Sequence, residues 1–256
     1  MLNAFLSYMY VAFIGISSLF FFVIACVIRL ATFLFDRRRV MNNLFSSFWA
    51  SVYIWCMPLW SVKITGREKL DMSKSYVFVS NHQSQLDILI LYRLFFPVRW
   101  ISKAEVFRLP AIGWNMVFNG DVPLKRGDKE SIRQMMDRCR QLLRQNISIM
   151  IFPEGTRSKT GIMRPFKPGA FILAKEAEKP IVPLVINNSK DALPKHSLKF
   201  HGSHRMEVKI LDEIPHAEFR DMDVDQVADM VHKHIRAHVK EHIAIEKDDS
   251  LGQQTA

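Results

Sequence analysis

Tyr76-Val77-Phe78-Val79-Ser80-Asn81-His82-Gln83-Ser84-Gln85-Leu86-Asp87 is the stretch from which the rest of the chain can be read. Its apolar start, rich in β-branched and aromatic residues, predicts a buried strand over 76–80. A polar turn follows, and the apolar run Ile88 to Leu94 predicts a helix over about 84–95. The strand therefore delivers a histidine to its carboxyl end, and an aspartate stands five positions on, where the helix starts. A carboxylate there accepts from one ring nitrogen and fixes the tautomer, leaving the other nitrogen to take a proton. His82 and Asp87 are thus candidates for a general base and its orienting partner, a pair that suffices when the substrate brings its own hydroxyl. A histidine in a polar turn also fits an ordinary loop residue, so the pair alone does not decide.

Around this frame, strands and helices alternate. Val62 to Thr65 and Val98 to Ser102 read as strands. Phe107 to Phe118 reads as a helix broken by Pro110 and Gly113. Asp121 to Leu124 is a short strand, and Asp128 is placed to cap a helix running to about Gln145. Ile132, Met135, Met136, Cys139, Leu142 and Leu143 form its apolar face. Ile147 to Phe152 predicts a second buried strand, which opens into Glu154-Gly155-Thr156-Arg157. Pro168 to Ala177 reads as a helix, and Ile181 to Ile186 as a strand whose Pro183 suggests a bulge or an edge. Arg205 to Leu211 is a weak strand and Val224 to Ile245 an amphipathic helix. The order predicts an α/β domain over 63–215, with a mixed, largely parallel sheet flanked by helices. A C-terminal amphipathic helix within 216–246 and a disordered tail over 247–256 complete the reading. His234, His238 and His242 share one helix face at a spacing that metals use. A solvated flank is the preferred reading, and no metal is expected.

Lys and Arg number 35 against 25 Asp and Glu, a net charge of +10, which points to an anionic partner. No charged side chain occurs between Met1 and Ile28, and then Arg29 and Arg37-Arg38-Arg39 follow. No nucleic-acid motif is present, so a membrane is preferred over a nucleic acid. Residues 1–62 read as a membrane-embedded or interfacial helical region. As a helix the uncharged part is about 42 Å long, enough to cross a bilayer. The arginines on its C-terminal side place the catalytic part on the cytoplasmic side. No basic residue precedes the run, so it is not read as a signal peptide. Val40 to Val62 mixes Asn42, Asn43, Ser46, Ser47 and Ser51 with Phe48, Trp49, Tyr53, Trp55 and Trp60. It reads as an interfacial helix or the second arm of a hairpin, with a core helix as the alternative. The three cysteines form no disulfide framework, and Cys26 and Cys56 read as packing residues.

Four blocks in order carry a resemblance. They are Asn81-His82-Gln83-Ser84-Gln85-Leu86-Asp87, then Gly120-Asp121-Val122-Pro123-Leu124-Lys125-Arg126, then Phe152-Pro153-Glu154-Gly155-Thr156-Arg157, then Ile181-Val182-Pro183-Leu184. Together they resemble the glycerolipid acyltransferase family, most closely its 1-acyl-sn-glycerol-3-phosphate acyltransferases. The resemblance implies acyl transfer from acyl-CoA or acyl carrier protein to the 2-hydroxyl of lysophosphatidate, giving phosphatidate. No acyl-enzyme and no cofactor would be needed. His82 would be the base and Asp87 its orienter. Arg157 and Arg126, with Lys125 third, would meet the acceptor phosphate. The Gly155–Thr156 turn would bring backbone amides close. Glu154 would orient Arg157, or else form a structural salt bridge. Turn amides near His82, or the Lys103 ammonium, would stabilise the oxyanion. Ile112, Trp114, Met116 and Phe118 could line an acyl groove open to the bilayer. The family's second block commonly has an aromatic-Ile-Asp where this chain has Pro123-Leu124-Lys125, which reverses a charge. The alternatives are another lysolipid as acceptor, a lipid hydrolase, and a non-catalytic membrane-binding protein. The chain has no Gly-x-Ser-x-Gly elbow, which weighs against a common hydrolase.

Overall fold

The computed structural model describes residues 2–157, 162–190, 192 and 203–240, with side chains from Ser7 onward. Its centre is β2 (Val77–Ser80), whose four side chains are all buried. Val77 and Val79 enter one apolar cluster and Phe78 the other, so the strand is covered on both faces. That is why its sequence is a continuous apolar run and not an alternation. On either side lie β5 (Ser148–Ile151) and β6 (Ile181–Asn187), both parallel to it. The full sheet runs β1 (Trp60–Thr65), β7 (His204–Ile210), β6, β2, β5, β3 (Val98–Lys103), β4 (Val122–Leu124). Only β6 and β7 pair antiparallel. The expected mixed, largely parallel sheet is the one that forms.

Helices cover both faces. On the Val77 face pack α5 (Lys129–Arg144), α6 (Gly169–Glu176) and α8 (Val224–Arg236), through residues such as Leu142, Phe171 and Val231. On the Phe78 face lies α3 (Leu86–Tyr92), with Ile54 from α2 (Val40–Trp55). Asp128 caps α5 as its position predicts, accepting from Ser131 N at 2.9 Å.

The α2 helix buries a polar row beside Trp49, Ala50, Tyr53 and Ile54 and turns other apolar side chains outward. Asn42, Asn43, Ser46, Ser47 and Ser51 are buried. Asn43 bonds both ways to the backbone of Val98 at the start of β3, at 2.7 and 3.2 Å. Asn42 and Ser46 bond to Asn115 and Asn119 on α4 (Ile112–Asn119). Met41, Phe48 and Trp55 face outward, the reverse of a helix docked in water. The α1 helix (Leu2–Thr32) lies against α2 and α4, with Phe21 on Trp49 and Phe22 on Trp114 and Phe118. Ile16, Leu19, Phe20, Val23, Val27 and Leu30 remain exposed along it. Among the described residues it is the one helix long and apolar enough to cross a membrane.

The turn between α1 and α2 is fastened to the sheet. Asp36 accepts from the N–H groups of Val40 and Met41 and caps α2. The Arg39 guanidinium donates to Val117 O and Phe118 O at 3.1 and 3.0 Å. Buried Arg99 donates to Arg38 O. Asp121 takes Trp100 N at 2.9 Å. Gly120 makes the approach possible: φ is +80°, and a Cβ there would lie 2.8 Å from Arg39 Nη1.

Four local expectations change. Pro183 is in the sheet interior, because its carbonyl accepts from Leu211 N where the β6–β7 ladder stops and its missing N–H falls at that end. Cys56 is exposed at the end of α2. The first strand, expected over Val62 to Thr65, begins two residues earlier, at Trp60. The α8 helix starts at Val224 as expected, under a capping box of Asp223 and Gln226, but ends at Arg236, and the short α7 (His216–Phe219) precedes it. The 247–256 tail and His242 lie outside the described residues.

Burial pushes the Asp121 carboxyl up to about 7, against the pull of Trp100 N–H, Arg99 and Arg39. A carboxyl raised in the folded state destabilises the fold progressively as pH rises from about 4 through 7. The stability of wild type relative to Asp121→Asn should fall over that window, by on the order of a few kcal/mol, and be level above it. Denaturant titrations in detergent at several pH values check this.

Candidate active site

The β2 strand ends at Ser80, and Asn81 pins that end. Its amide donates to Ile186 O at 2.9 Å and accepts from Ile186 N at 2.8 Å, across to β6. The chain then turns through His82 into α3. His82 Nδ1 lies 2.8 Å from Asp87 Oδ2. The same oxygen accepts from the N–H groups of Gln83 and Ser84 at 2.7 and 2.8 Å. An ionised carboxylate only accepts, so Nδ1 carries the hydrogen and the Nε2 lone pair is left able to accept one. The Phe152 ring stacks on the imidazole, with centroids 4.0 Å apart and planes 15° off parallel. The ring is thus held by a hydrogen bond in its plane and by a face contact across it.

Glu154 has partners other than the Arg157 expected from the sequence. Its buried carboxylate accepts from His82 N at 2.8 Å and Arg164 N at 3.0 Å. Burial pushes this carboxyl up, and those two amides and the His82 ring pull it back down. The backbone amides of His82, Gln83 and Ser84 therefore all point at carboxylates. The turn amides proposed for an oxyanion are occupied.

A cavity of about 850 Å³ opens beside His82. Trp49, Ala50 and Tyr53 of α2, with Ile88, Leu89 and Met116, form much of its apolar wall. Ile112 lines it as the sequence suggested, but Trp114 and Phe118 pack on Phe22 instead. Lys103, Arg126, Gly155 and Arg157 also line it. Lys103 pairs with Glu105 at 3.2 Å. Lys125 pairs with Asp128 at 3.3 Å and, like Thr156, is not among the lining residues. The charge reversal at Lys125 therefore falls outside the cavity. Arg126 and Arg157 have no ion-pair partner among the described residues. Burial, with Arg126 adding to it, pulls the Arg157 guanidinium below its ordinary value, and Asp87 opposes them.

Two further residues belong to this constellation, Phe152 and Lys167, which also lines the cavity. In the sequence, Phe152 is the end of a strand and Lys167 the residue before a helix. Phe152 opens the third of the four sequence blocks, though nothing there marks it as a partner of the histidine; Lys167 lies outside all four. Among the described residues no group of three or more metal-ligating side chains occurs; His234 and His238 have ring centroids 5.6 Å apart.

The profile of the family described as Acyltransferase matches residues 61–187, from β1 to the end of β6. The chain belongs to that family. It is 39% identical over 196 residues to a chloroplastic 1-acyl-sn-glycerol-3-phosphate acyltransferase of Brassica napus, covering 75% of this chain and 56% of that one. It is 37% identical over 175 residues to 1-acyl-sn-glycerol-3-phosphate acyltransferase alpha of Bos taurus, covering 66% and 60%. The chain thus spans little more than half the length of these curated relatives. The crystal structure of the 1-acyl-sn-glycerophosphate (LPA) acyltransferase PlsC from Thermotoga maritima superposes with a TM-score of 0.75. It covers 94% of this chain and 97% of that one at 20% identity, and shows a shared fold.

Glu154→Gln would aim an amide N–H at a backbone N–H and leave one buried donor unpaired. It should lower stability by about 1–3 kcal/mol, read as a lower denaturation midpoint at an unchanged m-value.

Proposed function

We propose that the protein is a bilayer-seated acyltransferase that moves a fatty acyl group from a thioester to the 2-hydroxyl of 1-acyl-sn-glycerol-3-phosphate, giving phosphatidate. One arrangement carries the reading: a histidine oriented as a base faces an apolar cavity that also holds Arg126, Arg157 and Lys167, none with an ion-pair partner among the described residues. The names of the family relatives support the acceptor and the reaction.

In this reading His82 Nε2 takes the hydroxyl proton as the oxygen attacks the thioester carbon. The new C–O bond forms, the C–S bond breaks, and the proton passes to the departing thiolate. Asp87 holds the imidazole in the working tautomer and stabilises the imidazolium that forms in between. No acyl-enzyme is required, and Ser80 and Ser84, the hydroxyls closest in sequence, are buried and do not line the cavity. With the turn amides taken by carboxylates, Lys103 is the remaining oxyanion candidate. Arg157 and Arg126 receive the acceptor phosphate, Arg157 through its planar fork. The apolar cavity takes an acyl chain. The exposed apolar face of α1 and the outward aromatics of α2 sit in lipid, where acceptor and product reside. Arg29 and Arg37 to Arg39 then mark the cytoplasmic side. Acyl-CoA or acyl carrier protein, both anionic, suits a chain of net charge +10.

The deciding assay measures thiol release from acyl-CoA by purified protein in detergent, with lipid analysis of the product. Thiol release should depend on lysophosphatidate and yield phosphatidate. His82→Ala and Asp87→Asn should each lower turnover by roughly 10²–10⁴-fold. Thiol release without any acceptor would instead identify a hydrolase. Turnover only with a different lysolipid would overturn the acceptor assignment.

A further inference from the structure

Lys167 is exposed, yet its side chain lies along the turn after β5. Its backbone N–H donates to Pro153 O at 3.0 Å, tying it to the turn after β5. That turn is closed by Gly155 N donating to Phe152 O at 3.0 Å. Gly155 has a φ of +70°, and a Cβ built there would lie 3.0 Å from Lys167 Nζ, 3.1 Å from Cε and 3.4 Å from Cδ. The lysine stem therefore runs along the bare Cα of Gly155 and sets its ammonium on the turn that leads to Arg157. Any larger residue at 155 would be strained by the positive φ and would push the ammonium aside. Lys167 lines the cavity together with His82, Arg126 and Arg157. It has no ion-pair partner among the described residues, whereas Lys103 in the same cavity has Glu105.

We infer that Lys167 is a phosphate-binding residue, held by the cleared surface of Gly155 so that its ammonium, Arg126 and Arg157 together receive one phosphate monoester, that of the acceptor. The inference rests on the acyltransferase reading above. A phosphate monoester carries nearly two negative charges at neutral pH and three acceptor oxygens. Two guanidinium forks and one compact ammonium supply a donor group for each of those oxygens and more than offset that charge. Arg126 already acts on Arg157 as a like charge, and a bound phosphate monoester would offset most of the charge of the three cations. This also gives Gly155 a second purpose: its missing side chain leaves room for a lysine stem as well as for backbone approach.

Steady-state kinetics on the full chain in detergent test the inference, with lysophosphatidate and acyl-CoA varied separately. Lys167→Met keeps the stem and removes the charge. It should raise the acceptor KM about tenfold and leave kcat and the acyl-CoA KM within about twofold. Lys167→Arg should recover most of the loss, which a merely structural role would not require. Gly155→Ala should also raise the acceptor KM, and combining it with Lys167→Met should add little. An unchanged acceptor KM in Lys167→Met, in an enzyme that still turns over lysophosphatidate, would falsify the assignment. A rise confined to the acyl-CoA KM would overturn it too, by giving the ammonium to the donor's phosphates. Failure of wild-type protein to acylate lysophosphatidate would be a different result, since it would remove the underlying reaction and not the lysine alone.

Discussion

The hydrogen bond from His82 N to the Glu154 carboxylate joins two turns that lie 72 residues apart in the chain. It forms because β2 and β5 are neighbours and parallel, so both turns leave the sheet at the same edge and side by side. Sites in open α/β sheets collect at such carboxyl ends. From this contact the rest of the site follows. Phe152, one step before the second turn, lands on the His82 ring, and Gly155 and Arg157, just after it, reach the cavity beside the imidazole. Glu154 and Asp87 between them absorb the N–H groups of the first turn, so the histidine is presented from a backbone with little freedom to move.

The second organising feature is the polar row on α2. Asn43 bonds to β3, Asn42 and Ser46 bond to α4, and Ser47 and Ser51 donate to carbonyls of their own helix, so a polar seam lies beside buried Trp49, Tyr53 and Ile54. The seam frees the aromatics of α2 to serve two other surfaces. Trp49 and Tyr53 form cavity wall and receive Phe21 from α1, and Phe48 and Trp55 face outward. The apolar N-terminal pair and the cavity beside His82 are therefore built from one helix. Arg39 and Arg99, with Asp121 and the cleared Gly120, fasten the turn between α1 and α2 to the far edge of the sheet.

Much of this could be read from the chain alone wherever the cause is local. Val77 to Ser80 is apolar at every position because both faces are covered, and the helical spacing from Ile132 to Leu143 places α5. Asp128 caps that helix through a bond spanning three residues. His82 and Asp87 stand five apart, one short turn, so their juxtaposition at 2.8 Å follows from strand, turn and helix start in sequence. The partners of Glu154, the interior place of Pro183 and the cleared path of Lys167 carry no such mark. Each is decided by an element distant in sequence: β2 for Glu154, β7 for Pro183, the turn after β5 for Lys167.

The amino-acid sequence by itself determined the α/β alternation, the long apolar helix at the start, the family and the histidine–aspartate pair. Hydrophobic period, capping and turn preferences act over a few residues and are written in adjacent letters. Only the tertiary structure decided which strands lie side by side, and hence which carboxylate holds the His82 backbone and which cations share its cavity. Strand order depends on how all the elements bury their apolar faces at once, and no single stretch of the chain records that outcome.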